Sequence, residues 1–394
     1  MKVIFIMYAF PNLEEGYNMY TTLVEEFICK GHEVTVVAPC NKPTRLSQEK
    51  GIEILRVSSI QSRNVSKLKK GLSTVLLPYQ FLNAIKKYYP IRTYDLIISA
   101  TPPITFASVI AKIKQKYQSK FYLILRDIFP QNAVDLGYIN PTGFTYHYFR
   151  KIEKKYYNLA DYIGCMSEGN IDYIIRHNPD IVKKDLHILR NFQKENKNEF
   201  VDLVDLRRRY NLLKEDFIIV FGGNLGKPQQ LENVLELAKR TLEYTDVKFF
   251  LVGDGNEMEK LEKTIKKLNL TNIILQSSVS KSKYQDLLRI CDVGLISLHK
   301  DFTIPNIPSK ILDYMNIGVP ILASLDKSTD FNEILEESQS GLWSFSGDHI
   351  GFKANLDVLY KNKTLRKEMG RNGNEYFKQY LLPECAYKTI IERL

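Results

Sequence analysis

The most telling segment of the sequence is residues 217–232, FIIVFGGNLGKPQQLE. The apolar run Phe217–Phe221 predicts a buried strand, Gly222–Lys227 predicts a glycine-rich turn, and a helix is expected to start near Gln230. Glycines let backbone N–H groups approach a phosphate closely, and a helix start adds partial positive charge. Two interpretations fit this pattern: a phosphate-binding loop, and a glycine turn that only joins strand to helix.

The same alternation of short apolar runs and longer helical patterns extends along the whole chain, which is typical of βαβ units and parallel sheets. Further strands are predicted at residues 2–9, 33–38, 95–99, 121–125, 161–166, 247–252, 272–275, 293–297 and 319–323. The polar stretch 191–199 predicts an exposed connection. We therefore expect two doubly wound α/β domains, 1–192 and 193–375, and a C-terminal helical segment, 376–394, that packs back on the first domain. Ligands of such sheets bind beyond the carboxyl ends of the strands, so the cleft between the domains is the expected site.

Composition describes a folded protein with no sign of a metal or disulfide framework. The chain has 394 residues, of which 44% are hydrophobic and 25% charged, close to globular averages. Its 5 cysteines are odd in number and contain no C-x-x-C pair, which favours a reduced, cytosolic setting. The first apolar run ends at Pro11 without a cleavage site, so we interpret it as a strand, and no stretch is apolar enough to span a membrane.

The net charge of +10 is unevenly distributed. Up to Arg190 there are 26 basic and 16 acidic residues, whereas the remainder has 29 of each. A basic half can face nucleic acid, an anionic membrane or phosphorylated substrates. Few aromatic residues interleave with the glycine turns, so nucleic acid is not expected as a partner.

Two further segments follow predicted strands of the second half. Gly253-Asp254-Gly255 precedes a helix and suits either a ligand or a tight turn with an aspartate cap. Ser309, Lys310 and Asp313 share about one face of a helix start. The first two suit phosphates and the carboxylate suits the two hydroxyls of a ribose. The alternative is a capped helix with an internal Lys310–Asp313 pair.

These segments together resemble glycosyltransferase family 4, whose fold is GT-B, two facing Rossmann-like domains. The resemblance rests on Pro11–Gly16, Gly31–Val34, Arg126–Pro130, Met166–Glu168, Gly223–Leu225, Gly253–Gly255 and Pro308–Pro320. Segments 126–139, 222–232 and 308–315 are most similar to capsule, O-antigen and colanic-acid transferases, some of them assigned to N-acetylfucosamine-type sugars.

The resemblance implies a retaining transferase that uses a nucleotide-sugar donor, with UDP favoured, and a polyprenyl-diphosphate-linked acceptor, without a metal or other cofactor. Asp127 is the candidate base, with Arg126 beside it where the family often has a histidine; a structural Arg126–Asp127 pair is the alternative. The expected donor-binding residues are Gly16, Arg190, Gly223, Asn224, Lys227, Gly253, Asp254, Ser309, Lys310 and Asp313.

The sequence also departs from the family pattern. Asp313 matches the second of two common glutamates, but Pro305 occupies the place of the first. The common arginine and lysine for the diphosphate fall at Asn224 and Gln229, so Lys227, Arg190 or Lys310 has to neutralise the phosphates.

A basic segment without acids predicts docking on the inner face of the cell membrane. Its charged residues, Arg63, Lys67, Lys69, Lys70, Lys86, Lys87 and Arg92, flank the apolar centre Val75–Leu82. The aromatic and basic run Phe144–Tyr157 is a second candidate for this role. Two other functions stay open at this point: a nucleotide-sugar 2-epimerase of the same fold, and a non-catalytic binding subunit.

Overall fold

The computed structural model describes residues 1–14, 16–59, 67–181, 184–196 and 202–394, with only the backbone for 67–75. The chain divides into two compact units, Met1–Lys194 with Pro383–Leu394, and Glu195–Leu382. Of the predicted connection, residues 197–199 lie outside the described residues. The return to the first unit begins later than the predicted boundary at 376, because the helix Lys363–Tyr380 continues through that position.

The first unit contains a largely parallel sheet with helices packed against it. Its strands are β1 (Lys2–Ile6), β2 (Glu33–Cys40), β3 (Arg45–Glu49), β4 (Ile52–Ser58), β5 (Leu96–Ala100), β6 (Lys120–Ile124), β7 (Tyr162–Cys165) and β8 (Asp185–Ile188). Its helices are α1 (Met19–Cys29), α2 (Lys67–Tyr88), α3 (Ala107–Tyr117), α4 (Gln131–Asp135), α5 (Phe144–Leu159) and α6 (Glu168–His177), with 3₁₀ turns at Ile104–Phe106 and Pro179–Ile181. Among the described residues the strand order is β3-β4-β2-β1-β5-β6-β7-β8, and β3 pairs antiparallel with β4.

The second unit is a fully parallel sheet within the described residues, in the order β11-β10-β9-β12-β13-β14. Its strands are β9 (Phe217–Gly222), β10 (Val247–Val252), β11 (Ile273–Gln276), β12 (Val293–Ser297), β13 (Ile321–Leu325) and β14 (Gly341–Phe345). Its helices are α7 (Leu203–Arg209), α8 (Glu232–Lys239), α9 (Met258–Lys267), α10 (Lys281–Leu288), α11 (Lys310–Ile317), α12 (Phe331–Ser338), α13 (His349–Lys361) and α14 (Lys363–Tyr380), with a 3₁₀ turn at Lys227–Gln229. Two parallel α/β sheets confirm the predicted fold class.

The central strands are buried because helices cover both faces, which is why they are continuous apolar runs. All six residues of β9 are buried, as are all five of β12. The last helix, α15 (Pro383–Ile391), packs on α1, where Ala386 and Ile390 join the core of the first unit. Because the strands of each sheet are largely parallel, the loops that follow them lie at one edge of that sheet. The predicted catalytic and donor-binding residues lie in these loops and at the helix starts that follow them.

Candidate active site

In the second unit the glycine turns after β9 and β10 lie against each other. The Gly223 N–H donates to the Val252 carbonyl at 2.9 Å, and a Cβ added to Gly253 would lie 1.7 Å from the Gly223 carbonyl oxygen. Only glycine fits at position 253 for that reason. The Gly253 N–H in turn donates to the Gln276 carbonyl at 3.0 Å. Both N–H groups donate to backbone carbonyls and are therefore not free to bind a phosphate. Donor binding at Gly223 and Gly253 by other atoms stays a prediction.

Of the other residues in these turns, Asn224 is exposed to solvent, whereas Leu225 and Asp254 hold the turns in place. Leu225 is fully buried and its N–H donates to the Asp254 carbonyl at 2.9 Å. The Asp254 carboxylate accepts a hydrogen bond from the Ser278 hydroxyl and another from the Ser278 N–H at 3.4 Å. Asp254 thus ties the turn after β10 to the loop after β11.

Lys310, the first residue of α11, lies beside the turn after β9. Its ammonium donates to the Gln229 amide oxygen at 2.6 Å and lies 4.8 Å from the centroid of the Phe221 ring. A Cβ added to Gly223 would lie 3.4 Å from the Lys310 Cε. The Lys310 ammonium therefore lies next to Gln229. By the family resemblance, Gln229 stands at the position where many members have a lysine for the diphosphate.

The charge of Lys310 has no carboxylate within ion-pair distance among the described residues. Its hydrogen-bond partner Gln229 is neutral, and removal from water lowers the pKa of the ammonium to about 8. An ammonium that is partly removed from water and not neutralised by protein is well suited to an anionic group. Ser309 just before it is exposed and makes no side-chain cap hydrogen bond with α11.

Asp313 lies one turn further along α11, and its side chain is 18% exposed. Its carboxylate is 4.0 Å from the ammonium of Lys281 on α10. The ammonium of Lys310 is bonded to Gln229 instead, so the internal Lys310–Asp313 pair of the alternative interpretation does not form. A partly exposed carboxylate one helical turn from an ammonium keeps the geometry expected for ribose and phosphate.

Tyr284 on α10 is a residue of this site that the sequence did not reveal. A Cβ added to Gly222, at the end of β9, would lie 2.1 Å from the Tyr284 hydroxyl oxygen, so the tyrosine fills the space above that glycine. Burial raises the pKa of Tyr284 well above its ordinary range, and Tyr314 and Asp313 raise it further. The only signal in the sequence is an aromatic residue on a helix, about 60 positions away from Gly222.

Lys227 is exposed and lines a cavity of about 330 Å³ together with His299 and Glu232. Lys310 is not among the residues lining that cavity. Burial lowers the pKa of His299, the charge of Asp301 raises it, and Lys227 lowers it. Of the three candidate cations, Arg190 belongs to the first unit. Lys227 ends the glycine turn and lines this cavity, and Lys310 lies on the other side of Gly223, where its Cε is 3.4 Å from a Cβ added to that glycine.

In the first unit Arg126 is buried beyond the end of β6 and holds the backbone together. Its N–H donates to the Thr101 hydroxyl at 2.9 Å, and its guanidinium donates to the carbonyls of Leu125 and Leu189 at 3.1 Å and of Arg190 at 3.4 Å. Burial lowers the pKa of this guanidinium. Arg126 thereby joins the segments that follow β5, β6 and β8.

Asp127 follows directly and has an exposed side chain. It forms neither a hydrogen bond nor an ion pair with Arg126 or with any other described residue, so the structural pair weighed as an alternative does not form. Desolvation by the surrounding protein raises the pKa of the Asp127 carboxyl, and the charge of Arg126 opposes this rise. A carboxylate with no partner and a raised pKa is able to accept a proton from a bound hydroxyl.

Tyr20 on α1 is a second residue that the sequence analysis missed. Burial raises the pKa of its hydroxyl, the charge of Arg126 lowers it and that of Asp127 raises it, so the tyrosine is in electrostatic range of both. Gly16, in the loop before α1, is half-buried, and a Cβ added to it would meet nothing within 4 Å. Gly16 therefore leaves open space beside the loop after β1.

A buried ion pair holds that loop in place. Glu49 on β3 and Arg56 on β4 are paired at 2.5 Å, with side chains 3% and 4% exposed. The guanidinium also donates to the carbonyls of Phe10 and Pro11 at 2.8 Å, and the carboxylate accepts the Leu13 N–H at 3.0 Å. The hairpin β3–β4 therefore fixes residues 10–13.

The described residues cover only part of the predicted basic membrane segment, so docking through it stays a prediction. Arg63 lies outside the described residues, and Lys67, Lys69 and Lys70 are at the start of α2, where only the backbone is described. Lys86 and Lys87 are exposed in its last turn, roughly 24 Å away at 1.5 Å per residue. The apolar centre belongs mostly to the core, because helical periodicity turns Leu77, Phe81 and Leu82 inward.

None of the helices in the described parts of the chain combines the length and apolar character that crossing a bilayer requires. Within the same parts, no three His, Cys, Asp or Glu side chains come together as a metal site. Independence of metals stays a prediction.

Family models, curated relatives and solved structures are similar to this chain. A family model described as "Glycosyl transferases group 1" matches residues 205–376, and one described as "Glycosyltransferase Family 4" matches residues 18–192. The probable glycosyltransferase WbjE of Pseudomonas aeruginosa is 22% identical over 82% of each chain. The putative colanic acid biosynthesis glycosyl transferase WcaI of Escherichia coli K12 is 28% identical over 34% of this chain and 33% of its own. The crystal structure of Alr3699/HepE from Anabaena in complex with UDP superposes with a TM-score of 0.71 at 15% identity, covering 100% of this chain and 99% of that one.

Proposed function

The chain belongs to glycosyltransferase family 4 and has the GT-B fold, and from this premise we propose that it transfers a sugar from a nucleoside diphosphate to a polyprenyl-diphosphate-linked saccharide. The observation that carries the proposal is the position of Lys310, an ammonium beside Gly223 without a carboxylate partner among the described residues, one turn before Asp313. This pair provides one group for the phosphates and one for the ribose.

The donor chemistry follows from these positions. Departure of the nucleoside diphosphate leaves an oxocarbenium-like centre on the sugar, so the enzyme has to stabilise charge on the departing phosphates. Lys310 supplies a full positive charge, and the start of α11 adds a partial one. Ser309 is exposed and free of a capping bond to α11, so its hydroxyl is available to a phosphate oxygen. Transfer with retention of the anomeric configuration and without a metal is part of the proposal.

In the first unit, Asp127 is the proposed base for the acceptor hydroxyl. Its carboxylate has no partner among the described residues, and desolvation by the surrounding protein raises its pKa, which favours its taking up a proton. Arg126 acts as a positioning residue, because its guanidinium is engaged by the carbonyls of Leu125, Leu189 and Arg190.

The finer substrate assignment is also part of the proposal. UDP is favoured because the superposed Anabaena structure is described as a complex with UDP. An N-acetylated deoxyhexosamine such as N-acetylfucosamine, and a place in capsule or O-antigen synthesis on the inner face of the cell membrane, follow from the resemblance to polysaccharide transferases. The colanic acid relative supports this class of product.

The decisive experiment is a thermal-shift panel of UDP-, GDP- and dTDP-sugars on the purified protein, followed by turnover with a polyprenyl-diphosphate-linked saccharide. We expect UDP-sugars to raise Tm and the other nucleotides to have less effect, since a ligand that binds the native state stabilises it. Scrambling at C2 of the donor without an acceptor would instead identify an epimerase. Stabilisation without turnover on any acceptor would favour a binding subunit.

A further inference from the structure

The solvent-exposed side of α5 is aromatic at one end and basic at the other. Four residues of α5 lie on one helical face because they are three or four positions apart: Phe144, Tyr148, Lys151 and Lys155. Phe144 is 86% exposed and Tyr148 is 42% exposed, and their rings stack with centroids 6.3 Å apart. Lys151 and Lys155 are also exposed. We call these four residues the α5 stripe.

The α5 stripe carries positive charge without an exposed acid. The helix contains one acidic residue, Glu153, which is buried and bonded to Arg150 at 2.6 Å and to the Tyr157 hydroxyl at 2.8 Å. Lys154 adds another exposed positive charge next to the stripe. The lysines of the stripe form no ion pair with a described carboxylate. Exposed aromatic rings beside such lysines match the interface of an anionic bilayer, where rings lie at headgroup depth and lysines meet lipid phosphates.

Topology places the aromatic end of the stripe at the functional edge of the first sheet. Strand β7 is parallel to β6, and α5 precedes β7, so the helix begins at the carboxyl edge and ends at the amino edge. Asp127 follows β6 at the same carboxyl edge. Helix α2 packs on the same 3₁₀ turn as α5, at Ile104–Phe106, and adds the exposed Leu76 and Tyr79.

We propose that the α5 stripe docks the protein on an anionic phospholipid bilayer, with the edge that carries Asp127 at the lipid headgroups. The purpose of the docking, which is to reach a lipid-linked acceptor, rests on the proposed function. The docking itself is a property of the surface and is tested without any sugar.

The test is flotation of the full-length protein with vesicles of phosphatidylcholine and phosphatidylglycerol (3:1) and with phosphatidylcholine alone. One double variant, Phe144→Ser with Tyr148→Ser, removes the rings, and another, Lys151→Gln with Lys155→Gln, removes the charges. The matched controls lie in the second unit: Ile350→Ser, at a position 77% exposed, and Lys361→Gln with Lys363→Gln, which removes the same charge.

We expect the unmodified protein to bind the anionic vesicles and to lose binding as salt is raised. Each lost lysine should weaken vesicle affinity about fivefold, the equivalent of about 1 kcal/mol per basic residue, and loss of the two rings should weaken it at least about tenfold. The control variants should bind like the unmodified protein. Equal binding by the α5 variants, equal loss in the controls, or binding that ignores lipid charge would overturn the proposal.

A second measurement keeps the result independent of folding and of the proposed function. Phe144→Trp in a Trp343→Phe background places a single tryptophan on the stripe, and its fluorescence should shift to the blue and be quenched by brominated lipid; unchanged emission contradicts the docking. The donor-induced Tm shift is recorded on every variant. If the α5 variants lose vesicle binding but keep the donor-induced Tm shift, the result supports docking by the α5 stripe. If the unmodified protein binds vesicles as expected but no donor shifts its Tm, the result refutes the proposed function and leaves the docking proposal standing.

Discussion

Replacing Lys310 with methionine removes the cation that the donor site is proposed to use while keeping a side chain of similar length. The ammonium is partly buried, is bonded to the neutral Gln229 and has a pKa lowered from 10.5 to about 8 by removal from water. A hydrogen bond to a charged group is worth roughly 1.5–3 kcal/mol. The dissociation constant for UDP should therefore rise by roughly 10 to 100-fold.

The same replacement should stabilise the protein without ligand. A lysine whose pKa is lowered in the folded state binds fewer protons than in the unfolded chain between about pH 8 and 10.5, so the native protein gains stability as pH rises through this window. Below it, holding the charge costs up to about 3 kcal/mol. The methionine variant avoids that cost and should have a higher Tm at pH 7.

Calorimetric titration with UDP and thermal unfolding, both from pH 6.5 to 9.5, measure the two effects together. The affinity of the unmodified protein should fall as pH rises through about 8, because Lys310 loses its proton, whereas the variant should show no such fall. Lys239→Met, an exposed position at the end of α8, serves as the control. Unchanged UDP affinity in the Lys310 variant, or a loss as large in the control, would refute the reasoning.

Three further predictions test other parts of the structure, one of them with a control substitution. Asp313→Asn should weaken UDP binding roughly 10-fold or more through the lost ribose contact without lowering Tm; unchanged affinity in calorimetry would remove Asp313 from the site. Gly253→Ala should lower the free energy of unfolding by roughly 1–3 kcal/mol in urea, because the added Cβ would lie 1.7 Å from the Gly223 carbonyl oxygen. Gly16→Ala is the control and should have no such effect, because a Cβ added to Gly16 meets nothing within 4 Å. Equal destabilisation by the two substitutions would contradict the packing described for Gly253. Glu49→Gln should cost roughly 3–5 kcal/mol, since it leaves the buried Arg56 without a countercharge. Burial raises the pKa of Glu49, but the hydrogen bonds from Arg56 and the Leu13 N–H outweigh it and lower the pKa. The stability that the ionised Glu49 contributes should therefore be lost as pH falls through its folded-state pKa. If the unmodified protein and the Glu49→Gln variant lose stability identically in acid, the ion pair does not contribute as described.

The fold was predictable where burial makes a strand uniformly apolar. Strands β9, β10 and β12 were all expected from their continuous apolar runs. The hairpin β3–β4 was not expected, because the buried pair Glu49–Arg56 places charges where a strand pattern would be apolar. Strand β13 begins two residues later than expected, since the Val319 N–H donates to the Tyr314 carbonyl and completes the end of α11.

The site was predictable as a set of loops and helix starts, but the partners of its side chains were not. Spacing alone allowed Lys310 to pair with Asp313, whereas the folded chain brings Gln229 to the ammonium from 81 residues away. Likewise, adjacency in sequence suggested an Arg126–Asp127 pair, yet backbone carbonyls surround the guanidinium. Such contacts depend on long-range packing, which a local pattern does not contain.

The central claim is tested most directly by acceptor-dependent transfer with the unmodified protein and with Asp127→Asn. The assay follows release of UDP from a UDP-sugar together with formation of the extended polyprenyl-diphosphate-linked saccharide, and NMR of the product gives the anomeric configuration. We expect equal amounts of UDP and of product with retained configuration. In Asp127→Asn we expect most transfer to be lost while donor binding is unchanged. Absence of product with every donor and acceptor, or full activity in Asp127→Asn, would contradict these expectations.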